Sequence, residues 1–131
     1  MLEQYLLQLG ILRQNEIDQL AALGKKKSLK KGSSFCQEGQ IIQHFAFIES
    51  GIFRSYFTSS QEKETTYCIR FPNSFLSAYS SFLTGQPTRE NVQALTDAEL
   101  IYFSKQDLDR LCAAHHNWVV LLKVLAETEY I

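Results

Sequence analysis

Residues 75–94 read FLSAYSSFLTGQPTRENVQA and interrupt a series of short, strand-like segments. The stretch follows a turn signal at Pro72–Asn73, contains a Gly-Gln-Pro turn at residues 85–87, and returns to an alternating apolar pattern at Val92. Excursions of this length inside a compact domain are usually functional or mobile. Short turns, hydroxyl groups and an arginine are what an anion-binding pocket uses. We therefore place the candidate site in this stretch.

The composition is typical of a globular domain. The chain has 131 residues, of which 45% are hydrophobic and 21% charged, and its net charge is −1. No apolar run approaches the length of a membrane span, and the N-terminus lacks the basic region of a signal peptide. A near-neutral chain has no general attraction to nucleic acid. We expect one domain over residues 1–131 and a cytoplasmic location.

The middle of the chain has the pattern of an antiparallel β domain. Its short segments alternate in hydrophobicity, and turn signals such as Glu38–Gly39 and Ser50–Gly51 separate them. Strands this short at such regular spacing favour a small barrel, roll or sandwich. We predict a mainly β domain with flanking helices, divided as follows: N-terminal helices and a basic connector in residues 1–31, a β-roll in residues 32–103, and C-terminal helices in residues 104–131.

The basic connector is centred on residues 25–32, KKKSLKKG, which hold five of the thirteen lysines and arginines. One interpretation is a patch that contacts phosphate groups. The other is a solvated connector that ends the second helix and leads into the first strand. We favour the connector, because the run is short and no aromatic residue is interleaved with the lysines.

The last part of the sequence predicts two helices. Ser104 is a good N-cap for the first, and residues 115–117 break the pattern before the second. The second helix has an apolar stripe and further apolar residues beside it, so more than one of its faces is apolar. Such a helix suggests packing on its own domain and on a partner, whereas the alternative is a helix packed wholly within its own domain. The stripe consists of Trp118, Leu121, Leu122 and Leu125.

The order of helices, short strands and a long final helix resembles the cyclic nucleotide-binding domain of the Crp/Fnr family of bacterial transcription regulators. The residues that carry the resemblance are KGSSFCQEGQIIQHFAFIESGIFRSYF in residues 31–57, and FLSAYSSF and GQPTRENVQAL within residues 75–95. Gly39 and Gly51 match the spacing of the family's two β-roll glycines. The resemblance implies an antiparallel jelly roll (a double-stranded β-helix) and a homodimer formed through the C-terminal helix. It also implies that DNA is bound by a helix-turn-helix domain, which is absent from this sequence.

In the ligand-binding members of that family, the excursion reads roughly F-x-G-E-L and then, about eight residues later, R-S/T-A. The resemblance implies that the glycine and arginine meet the cyclic phosphate and that the glutamate takes the ribose hydroxyl. When this pattern is aligned with the sequence from Phe75 without a gap, its glycine and glutamate positions fall on Ser77 and Ala78. The arginine position falls on Thr88, Arg89 comes one residue later, and the next position is Glu90. One step along an extended segment moves a side chain to the other face, and Glu90 would repel a phosphate.

We therefore predict a regulatory sensor domain that does not bind cyclic AMP or cyclic GMP tightly. Three alternatives remain open. The pocket takes another small anionic ligand, or it binds a cyclic nucleotide through Arg89 in a bulged loop, or the domain is a ligand-free dimerisation module. In the last case Phe75, Leu76, Phe82 and Leu83 would simply close the mouth of the barrel. The candidate pocket residues are Ser77, Ala78, Tyr79, Thr88, Arg89 and Glu90.

No catalytic or metal-binding pattern stands out in the sequence. His44 stands alone, and the side chains of His115–His116 would diverge, so the histidine cluster of a metal site is missing. Neither a nucleophile elbow nor a P-loop is present. Cys36, Cys68 and Cys112 lie far apart, which argues against a disulfide framework and favours three core residues. We predict no enzymatic activity and no metal.

Overall fold

The computed structural model describes residues 2–61 and 63–129. Within these ranges, the helices are α1 (Leu2–Leu9), α2 (Gln14–Leu23), α3 (Tyr79–Thr84), α4 (Lys105–Ala114) and α5 (His116–Glu129). The strands are β1 (Lys25–Leu29), β2 (Ser34–Cys36), β3 (His44–Ser50), β4 (Phe53–Thr58), β5 (Glu64–Arg70), β6 (Phe75–Leu76), β7 (Asn91–Ala94) and β8 (Ala98–Ser104). None of these helices is long and apolar enough to cross a membrane.

The strands form two four-stranded sheets. One sheet has the order β1-β8-β3-β6 and the other has the order β2-β7-β4-β5, with antiparallel pairing throughout. The helices lie before, between and after the strands. The predicted mainly β roll with helices at both ends is confirmed.

Strand β3 explains why the molecule has two core clusters. Its side chains alternate, so that Phe47 packs with residues of α1, α2 and α5, while Ala46 and Ile48 pack with residues of the second sheet. All three are fully buried. A strand covered on both faces reads as a nearly continuous apolar run, as residues 44–48, HFAFI, do. Burying a side chain such as Phe47 contributes about 1.5–3 kcal/mol.

The basic segment is a strand, and the prediction of a connector is therefore wrong. Residues Lys25–Leu29 pair antiparallel with β8 at the edge of the first sheet. The hydroxyl of Ser28 donates to both carboxylate oxygens of Glu99, at 2.9 and 2.7 Å. The ammonium group of Lys27 lies 5.0 Å from the ring centroid of Tyr102. Lysines are common on edge strands, because they discourage pairing with another chain. Strand β1 therefore lacks the alternation of apolar and polar residues from which the other strands were predicted.

The apolar stripe of α5 lies in the core of the same domain. Trp118 is 1% exposed, and Leu121 and Leu125 are also buried, all in the cluster that includes α1 and α2. Leu122 is half-buried, and Val119 on the outer side is 44% exposed. Three of the four residues predicted to pair two subunits are thus covered by their own chain. They cannot contact a partner while they are packed there.

Both predicted turn glycines have a positive φ angle. Gly39 has φ of +94° and Gly51 has φ of +100°. Residues other than glycine rarely adopt this backbone conformation. A Cβ on Gly51 would also lie 2.5 Å from the Cβ of Ala98, whereas a Cβ on Gly39 would meet nothing within 4 Å. Gly51 is therefore required by its conformation and by close packing, and Gly39 by its conformation alone.

The three cysteines are reduced, and they differ in burial. Cys36 is 1% exposed between the two sheets, as predicted. Cys112 is half-buried and packs against the other core cluster, whereas Cys68 is half-buried outside both clusters, so the prediction of three core residues is wrong for Cys68. Cys68 lies on β5, at the edge of the second sheet, and edge strands are covered on fewer sides than central ones.

Candidate functional site

The excursion of residues 75–94 forms β6, α3, a loop and β7. Helix α3 ends at Gly85, which has φ of +74° and donates its N–H to the carbonyl of Ser81 at 2.9 Å. The hydroxyl of Ser81 donates to the carbonyl of Gln86 at 2.6 Å and accepts from the N–H of Ile42 at 3.0 Å. This buried serine therefore fastens the loop after α3 to the segment before β3.

Thr88 holds the next part of the loop against the Gly39 turn. Its N–H donates to the carbonyl of Gln40, and its carbonyl accepts from the N–H of Gly39, both at 2.8 Å. Its hydroxyl accepts from the N–H of Glu90 at 3.0 Å. Thr88 is 6% exposed. The residue at the position of the family's phosphate-binding arginine therefore has a short side chain bonded to its own loop.

A cavity of about 570 Å³ lies beside this loop. Thr88, Arg89 and Glu90 line it, so the structure brings these three predicted residues together. Ser77 and Ala78 are buried but do not line it, and the side chain of Tyr79 lies outside the described part of the structure. The full lining is Phe57, Ser81, Thr84, Gln86, Pro87, Thr88, Arg89 and Glu90.

Ser77 and Ala78 have structural contacts in place of ligand contacts. The hydroxyl of Ser77 donates to the carbonyl of His44 at 3.4 Å, which ties the end of β6 to β3. Ala78 is fully buried, and its carbonyl accepts the first hydrogen bond of α3, from the N–H of Phe82 at 2.9 Å. Neither residue offers the acidic acceptor that the resemblance requires for a ribose hydroxyl.

Arg89 lines the cavity but is on the opposite face of the loop from Thr88. It is exposed, while Thr88 before it is buried and Glu90 after it is half-buried. This alternation is that of an extended segment, in which neighbouring side chains point to opposite faces. Arg89 therefore borders the cavity from its solvent side, and the inward-facing charged group of the loop is an acid.

Glu90 is the electrostatic centre of the site. Burial raises the pKa of this carboxyl, while a hydrogen bond from Tyr67 and the positive charge of Arg70 partly oppose the rise. The Oε2 atom is shielded from solvent and has no hydrogen-bond partner within residues 2–61 and 63–129. Burial, and then the charge of Glu90, raise the pKa of the neighbouring Cys36 thiol to about 12. The loop therefore places a half-buried carboxyl group beside the cavity, with the positive charges of Arg70 and Arg89 around it.

Several residues around the cavity were not predicted from the sequence. Phe57 lines the cavity, and its ring stacks on Tyr67 with centroids 4.8 Å apart. Burial raises the pKa of the Tyr67 hydroxyl well above its usual range, and the hydrogen bond to Glu90 adds to this. Thr84 and Gln86 complete the polar lining. The hydroxyl-rich composition of residues 75–90 pointed to Thr84 alone.

The structure is a β-roll domain in which α3 and the loop that follows it border a cavity. The chain belongs to the cyclic nucleotide-binding domain family, whose model matches residues 26–115. No curated protein matches the sequence at a significant level.

Solved structures with the same fold include transcription regulators and a kinase regulatory domain. The sensor domain of the regulator DNR from Pseudomonas aeruginosa superposes with a TM-score of 0.81 at 18% identity, over 96% of this chain and 86% of that one. The catabolite activator protein of Thermus thermophilus superposes with a TM-score of 0.71 at 23% identity over 90% of this chain, which spans 57% of that protein's length. The regulatory domain of Toxoplasma gondii PKA, solved with cAMP, gives 0.74 at 14% identity, over 83% and 42% of the two chains.

Proposed function

We propose that this domain is the sensor module of a Crp/Fnr-type transcription regulator and that its pocket does not hold cyclic AMP or cyclic GMP tightly. The observation that carries the proposal is the replacement of the phosphate-binding side chain. Thr88 occupies the arginine position, and the acid Glu90 faces the cavity two residues later. A carboxylate beside a bound phosphate is repulsive, and the repulsion is strongest where water is excluded.

The proposed function is regulatory and not enzymatic. In the family that the sequence resembles, ligand occupancy of the pocket shifts the position of the C-terminal helix, which is a population shift between two states. Helix α5 packs against α1 and α2 through Trp118 and Leu121. Ligand binding in the pocket would therefore have to shift a helix that is already packed against α1 and α2. DNA contacts are assigned to a helix-turn-helix domain and not to these residues.

We include self-association through α5 in the proposal, but only through the outer face of this helix. The buried stripe of α5 is used by its own core, so a partner helix would meet the outer face, where Val119 is 44% exposed and Leu122 is half-buried. The competing function is that of a ligand-free interaction domain, in which the cavity binds nothing. Among residues 2–61 and 63–129, the Oε2 atom of Glu90 has no hydrogen-bond partner, and this favours a ligand, because buried polar atoms in native proteins are rarely left unpaired.

Isothermal titration calorimetry with cyclic AMP and cyclic GMP tests the proposal. We expect no saturable heat, which corresponds to a dissociation constant weaker than about 1 mM, or a binding free energy less favourable than about −4 kcal/mol. Saturable micromolar binding would overturn it. The variant Arg89→Ala then identifies the mode, since a cyclic nucleotide held through Arg89 would be lost in that variant, while binding that does not involve this residue would persist.

A further inference from the structure

The cavity beside residues 84–90 is lined by Glu90, one of whose carboxylate oxygens lacks a hydrogen-bond partner among the described residues. This oxygen is Oε2, and the described ranges are residues 2–61 and 63–129. A carboxylate has about four lone-pair positions on its two oxygens. The hydroxyl of Tyr67 is close enough to this group to oppose the rise of its pKa. The carboxylate therefore has capacity for a further donor, which Oε2 would meet once the carboxylate turns toward the cavity that Glu90 lines.

Aromatic surface stands next to the same carboxylate. The rings of Phe57 and Tyr67 stack with an interplanar angle of 21°, yet these side chains remain 40% and 48% exposed. Phe57 lines the same cavity as Glu90, and Tyr67 interacts electrostatically with Glu90, so the aromatic pair and the carboxylate adjoin each other. An ammonium group is attracted both to the face of an aromatic ring and to a carboxylate. A phosphate is attracted to neither.

We propose that this pocket binds a small organic cation, whose ammonium group donates to Glu90 and whose apolar part covers the Phe57–Tyr67 pair. The inference rests on the proposed function, in which the pocket senses a ligand other than a cyclic nucleotide. A carboxylate group turns between two equivalent orientations about its last torsion, so either oxygen meets the ligand while the other stays near Tyr67. A volume of about 570 Å³ is in the range of small-molecule sites.

The positive charges near the site limit the number of charges that the cation can carry. Arg70 interacts electrostatically with Glu90, and Arg89 stands exposed at the border of the cavity. A polyamine would bring several charges close to both arginines, which is unfavourable. A monoamine with an aromatic or apolar body brings one charge to Glu90 and is repelled less by the two arginines. The ligand class is therefore a monocation.

Three matched probes test the inference: tyramine, tyrosol and 4-hydroxyphenylacetate. They share one aromatic body and end in an ammonium, a hydroxyl and a carboxylate group. Each is titrated into the domain labelled with ¹⁵N, and the backbone amide shifts of residues 84–86 and 88–90 are followed. We expect saturable shifts with tyramine, affinity lower by about tenfold or more for tyrosol, and none for the carboxylate. Equal affinities, a preference for the carboxylate, or no shift with any probe would overturn the inference.

Two variants assign the effect to the carboxylate. Glu90→Gln keeps the shape of the side chain and removes its charge, so the preference for tyramine over tyrosol should disappear. Glu38→Gln removes an exposed charge on the neighbouring turn and should leave the preference unchanged. Adding cyclic AMP to the same samples separates the two proposals. Shifts that saturate with cyclic AMP refute the proposed function, whereas a lack of response to tyramine alone refutes only the ligand class.

Discussion

The side-chain amide of Asn117 donates to the Oε1 atom of Glu16 at 3.1 Å, across 101 residues of sequence. The same oxygen accepts the N–H of Arg13 at 2.8 Å, and the other carboxylate oxygen lies 3.5 Å from the Nδ1 atom of His115. Glu16 is 5% exposed. One buried acid at the start of α2 therefore connects the N-terminal helices to the junction between α4 and α5.

Replacing Glu16 tests how much this connection contributes. We expect Glu16→Ala to lower the free energy of unfolding by about 1–3 kcal/mol, because the donors on Arg13 and Asn117 lose their acceptor. Urea denaturation measures the change. The control Glu3→Ala removes an exposed acid from the first turn of α1 and should change the stability by less than about 0.5 kcal/mol. Equal effects of the two variants would contradict the connection.

The lowered pKa of Glu16 predicts that the domain loses stability in acid. The hydrogen bond from Arg13 is the main cause that lowers the pKa of Glu16 below 4.5, although burial opposes it. A lowered pKa stabilises the folded state above the unfolded value, and this contribution disappears as the pH falls below about 4.5 through the folded value. We expect Glu16→Gln to show a shallower loss of stability over that range than the wild type. Parallel pH profiles of the two proteins would contradict this assignment.

Glu90 should have the opposite dependence. Because burial raises its pKa, the folded state holds this proton more tightly than the unfolded chain, and stability falls as the pH rises above about 4.5 through the folded pKa. We expect Glu90→Gln to be more stable than the wild type near neutral pH and to lose this part of the slope. Urea denaturation at several pH values measures it. The exposed control Glu38→Gln should keep the slope of the wild type.

The two turn glycines predict unequal costs of substitution. Gly39→Ala introduces only backbone strain, about 1–2 kcal/mol for a side chain in the left-handed region. Gly51→Ala adds a clash with the Cα and Cβ atoms of Ala98, so the backbone must shift and the loss should be larger by about 1–3 kcal/mol. Thermal or urea unfolding of both variants provides the comparison. A Gly51→Ala variant as stable as Gly39→Ala would mean that the turn and β8 do not pack this closely.

Trp118 should behave as a core residue. Because it is 1% exposed among residues of α1 and α2, Trp118→Ala should lower stability by about 3–5 kcal/mol. The neighbouring control Val119→Ala, at a position 44% exposed, should cost less than about 0.5 kcal/mol in the monomer. If Trp118→Ala altered only the mass measured by light scattering and left the stability unchanged, the packing of α5 on its own domain would be wrong.

The sequence predicted the fold better than it predicted the site. Alternation and turn residues are local properties, and they were sufficient for β3, for the turns at Gly39 and Gly51, and for the N-cap Ser104, whose hydroxyl accepts from the N–H of Asp107 at 3.1 Å. Strand β1 was missed because its lysines lie at a sheet edge and carry no apolar pattern. Its identity as a strand depends on pairing with β8, more than 70 residues later.

Tyr67 shows why part of the site could not be found in advance. Strict alternation places Tyr67 on the face opposite Cys68. In the structure, Cys68 and Thr66 pair with the consecutive residues Ser55 and Tyr56, so Tyr67 is an extra residue in a β-bulge. A bulge changes the direction of a side chain, and here Tyr67 interacts with Glu90. Nothing in the local sequence specifies this bulge, because it depends on how β4 and β5 pair.

The most direct test of the central claim is the affinity for cyclic AMP of the wild type and of a variant with the restored cassette. The variant combines Ser77→Gly, Ala78→Glu, Thr88→Arg and Glu90→Ala, and calorimetry compares the two proteins after a thermal melt has shown that both fold. We predict that the variant binds cyclic AMP about 100-fold more tightly than the wild type, a difference of about 2.7 kcal/mol. A wild-type affinity equal to or greater than that of the variant would contradict the account.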